Sequence, residues 1–452
     1  FGADQTFLGF VNVATDGSGN ATFETTMSAS VASGTLITST ATKSDAAYST
    51  FTDTSAFSST VVSDAVANNA PVMVEWFNDA WDTRRSLTIN AANVAGDLTS
   101  FPVLISLNTD AELAAQALAN GDDIVFTAAD GTTQLAHEIE FFDETTGELR
   151  VWVKTDLSAS VDTNIYMYFG NAASGNQENV SGVWDNYVGV YHLSESPTGA
   201  LGELVDSSGS GNHATTQGAM DGTDSVPTAI GEGLSFDGTN DLIRIPDSAS
   251  LDSINDEATF SLWINFADAA DGDHQLIMSS ANRYSGLDGY EWGSQGDGDH
   301  FFYPDAGTPD VNYNLGLNPF TNDTWHHVAA TMNFATGEVN IYVDGTPMTF
   351  TYDGVSGNWT SLSSSGDLLF GGNPDRATRF FLGMMDEIRI ADVALSQEWI
   401  QTEVNNQKTP ETFFSVGTVE DREDKLTDIN EDDFNSPGDS VLSIISSSGA
   451  DR

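Results

Sequence analysis

Residues 321–347 read TNDTWHHVAATMNFATGEVNIYVDGTP, and their pattern decides the fold. His327, Ala329 and Thr331 alternate with His326, Val328, Ala330 and Met332. After a turn at Ala335-Thr336-Gly337, Val339, Ile341 and Val343 alternate with Asn340, Tyr342 and Asp344. Such alternation sends successive side chains to opposite faces and marks a half-buried strand. Asp344-Gly345 then closes a second tight turn, because glycine accepts positive φ without steric cost. The stretch is an antiparallel hairpin, and the sequence on both sides continues in the same style.

The chain has 452 residues, more than one ordinary core holds, so several domains are expected. Asp and Glu number 67 against 14 Lys and Arg, a formal charge of -53. That excludes a nucleic-acid partner, which needs a basic surface, and disfavours anionic membranes. Two readings of the charge stay open: screening by salty water, and neutralisation of carboxylates by bound Ca²⁺. There is no cysteine, so disulfides and thiolate chemistry are excluded, and a bacterial extracellular source is favoured. No apolar run reaches the length of a membrane-spanning helix. FGADQTFLGF carries neither a basic n-region nor a cleavage site, so the chain is expected to be processed or part of something longer.

Working outward, residues 1–65 are Thr- and Val-rich strand runs around the turn Asp16-Gly17-Ser18-Gly19-Asn20. They resemble a partial Ig-like module of large bacterial surface proteins, short of the roughly seven strands of a complete sandwich. Residues 66–75 read as a linker. Residues 76–185 contain RRSLTINAA, FPVLISLN, DIVFTAADG, HEIEFFDE, ELRVWVKTD and TNIYMYFGN as strands. One short helix is predicted over 110–121, with Asp110 as N-cap and Gly121 past its end. Trp81, Arg84 and these runs resemble a bacterial family of unknown function that precedes LamG-type jellyrolls.

Residues 186–419 hold a long series of short strands separated by Gly, Asp and Asn turns, the pattern of a jelly-roll sandwich. Tyr191-His192-Leu193-Ser194-Glu195, Asp206-Ser207-Ser208-Gly209, Phe236-Asp237-Gly238, Phe260-Ser261-Leu262-Trp263-Ile264, Trp325-His326-His327-Val328-Ala329, Tyr342-Val343-Asp344-Gly345 and Met385-Asp386-Glu387-Ile388-Arg389-Ile390 occur in this order. Together they resemble the LamG-like, concanavalin A-like jellyroll family. A helix capped by Ser396 is predicted over 395–405. From Glu420 to residue 452 an acidic linker leads into VLSIISSSGADR, which resembles the first strand of a cadherin-like repeat. The fold class is therefore all-β: tandem β-sandwiches, the largest a LamG/concanavalin A-like jelly roll.

The adjacent His326 and His327 suggest a metal, but neighbours on a strand point apart, so the pair reads as packing. The resemblance implies a structural Ca²⁺ between the loop at Asp206, with Asn212, and Asp386. A secondary set, Asp428, Asn430 and Asp432, lies at the acidic joint. Asp268, Asp271, Asp273, Asp297 and Asp299 lack the full EF-hand spacing and read as chance acids. Glu138 and Glu140 approach the carboxylate spacing of some glucanases, but read as the solvent face of an alternating strand. Tyr290, Trp292 and Tyr303, in a Gly/Asp-rich stretch, are candidate sugar-stacking residues.

The function expected is a non-enzymatic, extracellular adhesion or structural segment of a large bacterial surface or filament protein. Its partners would be a glycan, a cell-surface protein, or copies of itself, without membrane insertion. Two alternatives stand beside it. One is the carbohydrate-binding region of a secreted glycan-active enzyme. The other is a structural subunit that polymerises by β-strand addition.

Overall fold

A computed structural model describes residues 36–37, 42–44, 51–54, 61–62 and 76–422, except 271, 281–289, 305–310, 315–317, 350, 355–365 and 375–378. Contacts divide the chain into two compact units, Phe1–Val74 and Glu75–Arg452. In the first, β1 (Leu36–Ile37) pairs antiparallel with β4 (Val61–Val62), and β2 (Thr42–Ser44) with β3 (Phe51–Thr54). The Ig-like and cadherin-like expectations otherwise fall outside the described residues.

The second unit opens with a sandwich of two antiparallel sheets. One holds β6 (Leu98–Leu107), β10 (Glu148–Leu157) and β9 (His137–Asp143), in that order. The other runs β28 (Phe414–Asp421), β5 (Thr83–Ile89), β11 (Thr163–Phe169), β7 (Val125–Thr127), β8 (Gln134–Leu135). Pro102 sits in β6, which pairs with β10 alone, so its missing N–H costs no central ladder bond. The predicted helix is shorter than the sequence suggests. Asp110 caps α1 (Ala111–Gln116) by accepting from Leu113 N, but Ala117 is extended and Asp123 Oδ1 takes the N–H of Leu118, which ends the helix early.

The jellyroll has two eight-stranded sheets. The first runs β14 (Ser225–Pro227), β15 (Glu232–Asp237), β27 (Leu382–Ala391), β17 (Glu257–Phe266), β22 (Trp325–Asn333), β23 (Glu338–Val343), β24 (Thr346–Pro347), with β12 (Tyr187–Tyr191) also pairing with β27. The second runs β13 (Thr215–Gln217), β16 (Leu242–Ile245), β26 (Leu368–Phe370), β18 (Gln275–Ser280), β19 (Tyr290–Ser294), β20 (His300–Pro304), β21 (Val311–Asn314), β25 (Thr351–Gly354). Between them lies a core that includes Phe236, Phe260, Ile264, Trp292, Val328, Ile341 and Phe370.

The hairpin of residues 321–347 forms as expected, with β22 and β23 paired from Asn333↔Glu338 to Val328↔Val343. Asp344 and Gly345 both have positive φ, 49° and 73°, so the turn into β24 is the primed type that suits strand twist. The reading of β22 as half-buried is corrected. His326 through Met332 are buried without interruption, because both faces of this sheet are covered. The inner face meets the second jellyroll sheet, and the outer face meets the first sandwich and a helix.

That helix is α4 (Gln397–Lys408), longer than the predicted 395–405, with Ser396 Oγ accepting from Trp399 N at 3.2 Å. Trp399 and Ile400 share one core with Phe101 and Trp152 of the first sandwich and with Trp263, Ala329 and Tyr342 of the jellyroll. After α5 (Pro410–Phe413), β28 returns to pair with β5. The range 186–419, read from sequence as jellyroll, therefore ends on a strand of the other sandwich. The four-residue helices α2 (Val180–Val183) and α3 (Ala249–Asp252) are single turns in connections.

Candidate functional site: a buried acid–histidine cluster between the sandwiches

Two β-bulges build the site. On β9, Arg150 opposes Phe141 and Val151 opposes Ile139, so Glu140 is the extra residue. On β27, Ser261 opposes Arg389 and Trp263 opposes Asp386, so Glu387 and Ile388 together face Leu262. Cross-strand partners share a face, so Asp386 and Arg389 stand with Trp263 on the outer face despite their odd spacing. Glu387 takes φ 52°, an unusual conformation for a residue with a side chain.

His192, just after β12, lies between these strands. Its Nδ1 is 2.7 Å from Glu387 Oε1 and 3.7 Å from Glu140 Oε2, and its Nε2 is 3.3 Å from Glu138 Oε2. One donor atom each from Glu140, His192 and Glu387 lies within 4.8 Å of the other two. Around them, Trp152 Nε1 donates to Glu140 at 2.9 Å, and Trp184 Nε1 and Ser207 Oγ donate to Glu138. Arg389 donates to Glu387 at 2.7 Å and to Glu403 of α4 at 2.8 Å, with its guanidinium 4.3 Å from the centre of the Trp152 ring.

The electrostatics follow from burial and pairing. Burial opposes charge on His192, but Glu387 and Glu138 outweigh it and hold the ring well above its ordinary pKa. Burial also opposes charge on Glu387, yet His192 and Arg389 keep it below the usual carboxylate value. For Glu140, burial is offset in part by His192 and reinforced by Glu387, and the result is a rise to about 7. Burial, then the charge of Glu387, pushes Asp386 well up. Asp386 Oδ2 accepts from Thr228 Oγ1 and Ile230 N, while its Oδ1 meets no hydrogen-bond donor.

The residues expected to bind metal have hydrogen-bond partners of their own. Asp206 clamps its own loop: Oδ1 accepts from Val190 N and Ser208 N, and Oδ2 from Asn212 N. The Asn212 amide donates to Val188 O and Ser250 Oγ. Their partners are in that loop and its neighbours, whereas those of Asp386 are at Thr228 and Ile230. Asp428, Asn430 and Asp432 lie outside the described residues.

Two of the three sugar-stacking candidates are corrected. Trp292 is wholly buried, its indole N–H donating to His300 Nε2 at 2.6 Å, and Tyr290 packs in the same core. β19 is an inner strand of its sheet, so its alternate side chains face the jellyroll interior rather than a ligand. Tyr303 is on β20, paired with Glu291. Glu138 and Glu140, read as a solvent face, are instead closed into the interface. β9 is an edge strand in its sheet, but its flank lies against the jellyroll, which sequence alternation cannot reveal.

The twin histidines do diverge. His326 Nδ1 is 2.8 Å from Asp344 Oδ2, while His327 packs edge-on to Trp263 with Nε2 3.7 Å from Glu403. Among the exposed-loop acids, Asp268 Oδ1 accepts from Ala270 N and Asn322 Nδ2, which is turn capping.

In the sequence, His192 and Glu387 stand out only as parts of fold signatures. One signal was available. In LGMMDEIRIA, two acids and an arginine interrupt an otherwise apolar strand, the mark of a buried ion-pair network rather than a solvated face.

Residues 237–401 match a family described as the Concanavalin A-like lectin/glucanases superfamily, Laminin_G_3. Residues 120–197 match DUF2341, a domain of unknown function. The cluster thus spans both matches, with Glu140 and His192 in one and Glu387 in the other. No curated protein matches the chain by sequence. Among solved structures, the chain is similar to domain 4 of AbnA, a GH43 extracellular arabinanase from Geobacillus stearothermophilus, in complex with arabinotriose. That likeness has 19% identity and a TM-score of 0.38 over 49% of this chain and 98% of that one. The binding domain of Paraclostridial Mosquitocidal Protein 1 is similar at 16% identity and a TM-score of 0.38, over 50% of this chain and 53% of that one. The SAP-like pentraxin from Limulus polyphemus is similar at 16% identity and a TM-score of 0.27, over 33% and 70%. Among the described residues, no helix is long and apolar enough to cross a membrane.

Proposed function

We propose that residues 76–422 form a rigid, non-catalytic head of an extracellular bacterial surface protein, and that the jellyroll binds glycan. One observation carries this reading. The chain enters the unit on β5 and leaves it on β28, and these are neighbours: Thr83 opposes Asp421 and Arg84 opposes Glu420. The junction is tied by Arg84–Glu420 at 2.7 Å and by Arg422 N donating to Asp82 O at 2.6 Å. Entry and exit strands that pair side by side close the unit on itself, which suits a rigid head. The glycan reading is supported by the match of residues 237–401 to the lectin/glucanase superfamily.

A hydrolytic role would draw on paired carboxylates open to a sugar. The pair nearest to that spacing, Glu138 and Glu140, is committed to Trp184, Ser207, Trp152 and His192 inside the interface. Calcium belongs to this reading as the structural ion of the Gly-rich loop around Asp206. A glycan array probed with the 452-residue chain, with and without EDTA, tests both parts. Retained binding to a defined saccharide, weakened by EDTA, is the expected result. A folded chain that binds no saccharide in either condition sinks the glycan reading.

A further inference from the structure

We infer that Glu140, His192 and Glu387 form a divalent-metal site of the zinc class that clamps the two sandwiches together. The donors come from three separated strands or their ends: β9, the turn after β12, and β27. Two carboxylate oxygens and an imidazole nitrogen suit Zn²⁺, Mn²⁺ or Co²⁺, whereas Ca²⁺ and Mg²⁺ take oxygen alone. Tetrahedral Zn²⁺ with ligands about 2.0–2.1 Å away holds them about 3.3 Å apart. The contacts of His192 Nδ1 with Glu387 and Glu140, 2.7 and 3.7 Å, bracket that spacing.

The surrounding shell has the form that metal sites use. A ligating histidine is oriented by a carboxylate on its other nitrogen. Here Glu138 stands at Nε2, itself fixed by Trp184 and Ser207. Trp152 fixes Glu140, and Arg389 fixes the second oxygen of Glu387. The remaining charged neighbour is Arg150, whose Nε is 3.7 Å from Glu140 Oε1.

Asp386 supplies an independent sign. It is wholly buried on β27, next in sequence to Glu387. Its Oδ1 meets no donor. An unsatisfied buried oxygen is costly unless a cation completes its surroundings. A metal in this cluster would take the place of the proton that His192 shares with Glu387 and set positive charge among Glu138, Glu140 and Glu387.

The test uses the full 452-residue chain, stripped with chelator and reloaded with Zn²⁺ in excess Ca²⁺, so that surface carboxylates are occupied. The expected result is one Zn²⁺ retained per chain by elemental analysis, with a rise in Tm that EDTA reverses. Co²⁺ loading should give a visible d–d band from a site with a nitrogen ligand. His192→Gln and Glu140→Gln should each weaken retention at least tenfold. Absence of both a retained equivalent and a Co²⁺ band in the wild-type chain overturns the assignment. So does undiminished retention in either variant. The Co²⁺ spectrum of the wild-type chain keeps the proposal open to refutation even if a variant fails to fold.

Discussion

At the residue scale, Arg389 ties the two sandwiches together. It is buried, joins Glu387 to Glu403, and lies 4.3 and 4.8 Å from the ring centres of Trp152 and Trp184. Breaking a buried pair by removing one partner leaves an uncompensated charge, so Arg389→Ala should cost about 3–5 kcal/mol. Urea unfolding followed by fluorescence measures this, and a loss under about 1 kcal/mol would contradict the network's role. Two other histidines give a pH prediction. Burial pushes His300 down to about 3 and His137 down to about 4. Trp292 donates to His300 Nε2, which only a neutral ring with a free lone pair accepts. With folded values below the unfolded 6.5, the unfolded state binds more protons as pH falls below 6.5. Stability is therefore full above that value. It should drop on acidification by up to about 1.4 kcal/mol per pH unit for each histidine, until the folded value is reached. His300→Gln should flatten the slope between pH 6 and 4 in a urea series; an unchanged slope would remove His300 as a cause. The sequence allowed the divergence of His326 and His327 to be read, since it depends only on strand geometry. It concealed Trp292 and Tyr290 as core, because a Gly/Asp-rich neighbourhood looks like loop while pairing makes β19 an inner strand.

At the element scale, α4 fastens one sandwich to the other. Its Glu403 and Gln407 reach Arg389 and Trp263 of the jellyroll, and its Asn406 reaches the first sandwich. The Asn406 amide accepts from Leu104 N at 2.7 Å and donates to Leu104 O at 2.9 Å. Leu104 is on the edge strand β6, so Asn406 caps two backbone groups that would otherwise be open to another strand. Asn406→Ala should cost about 2–3 kcal/mol from the two buried groups left unpaired. Asn406→Asp, which sets a buried carboxylate oxygen against Leu104 O, should cost at least as much as alanine. Equal stabilities for all three proteins in thermal unfolding would show that water replaces the amide without penalty. The caps of α1 and α4 were legible because an N-cap is local, and Asp110 and Ser396 both accept where expected. The end of α1 was not, because Asp123 competes for the next N–H. Likewise, β22 looked half-buried because its alternation of small, polar and apolar residues was read against water. Its outer face instead meets Trp399, Trp263 and Tyr342 in a second core.

At the scale of the whole unit, the jellyroll was recognisable from its turn chemistry and strand spacing, but its union with the preceding sandwich was not. That union rests on long-range pairings: Arg84 with Glu420, 336 residues apart, and His192 with Glu387, 195 apart. No local pattern encodes partners at such separations; only the completed fold brings them together. The consequence is mechanical. One core runs from Phe101 and Trp152 through α4 to Trp263 and Tyr342, and one strand, β28, closes the first sandwich only after the jellyroll has been traversed. The two sandwiches should therefore unfold together rather than as beads on a string. Hydrogen exchange across a urea series reads this directly. Amides of β10, in the first sandwich, and of β17, in the jellyroll, should converge on one opening free energy with one urea dependence. Two separate limits, with β17 protected after β10 has opened, would show that the shared core and the cluster at His192 do not couple the pair. Removing β28 by ending the chain after Phe413 should then lower both limits, because the loss of one edge strand is felt throughout a single cooperative body.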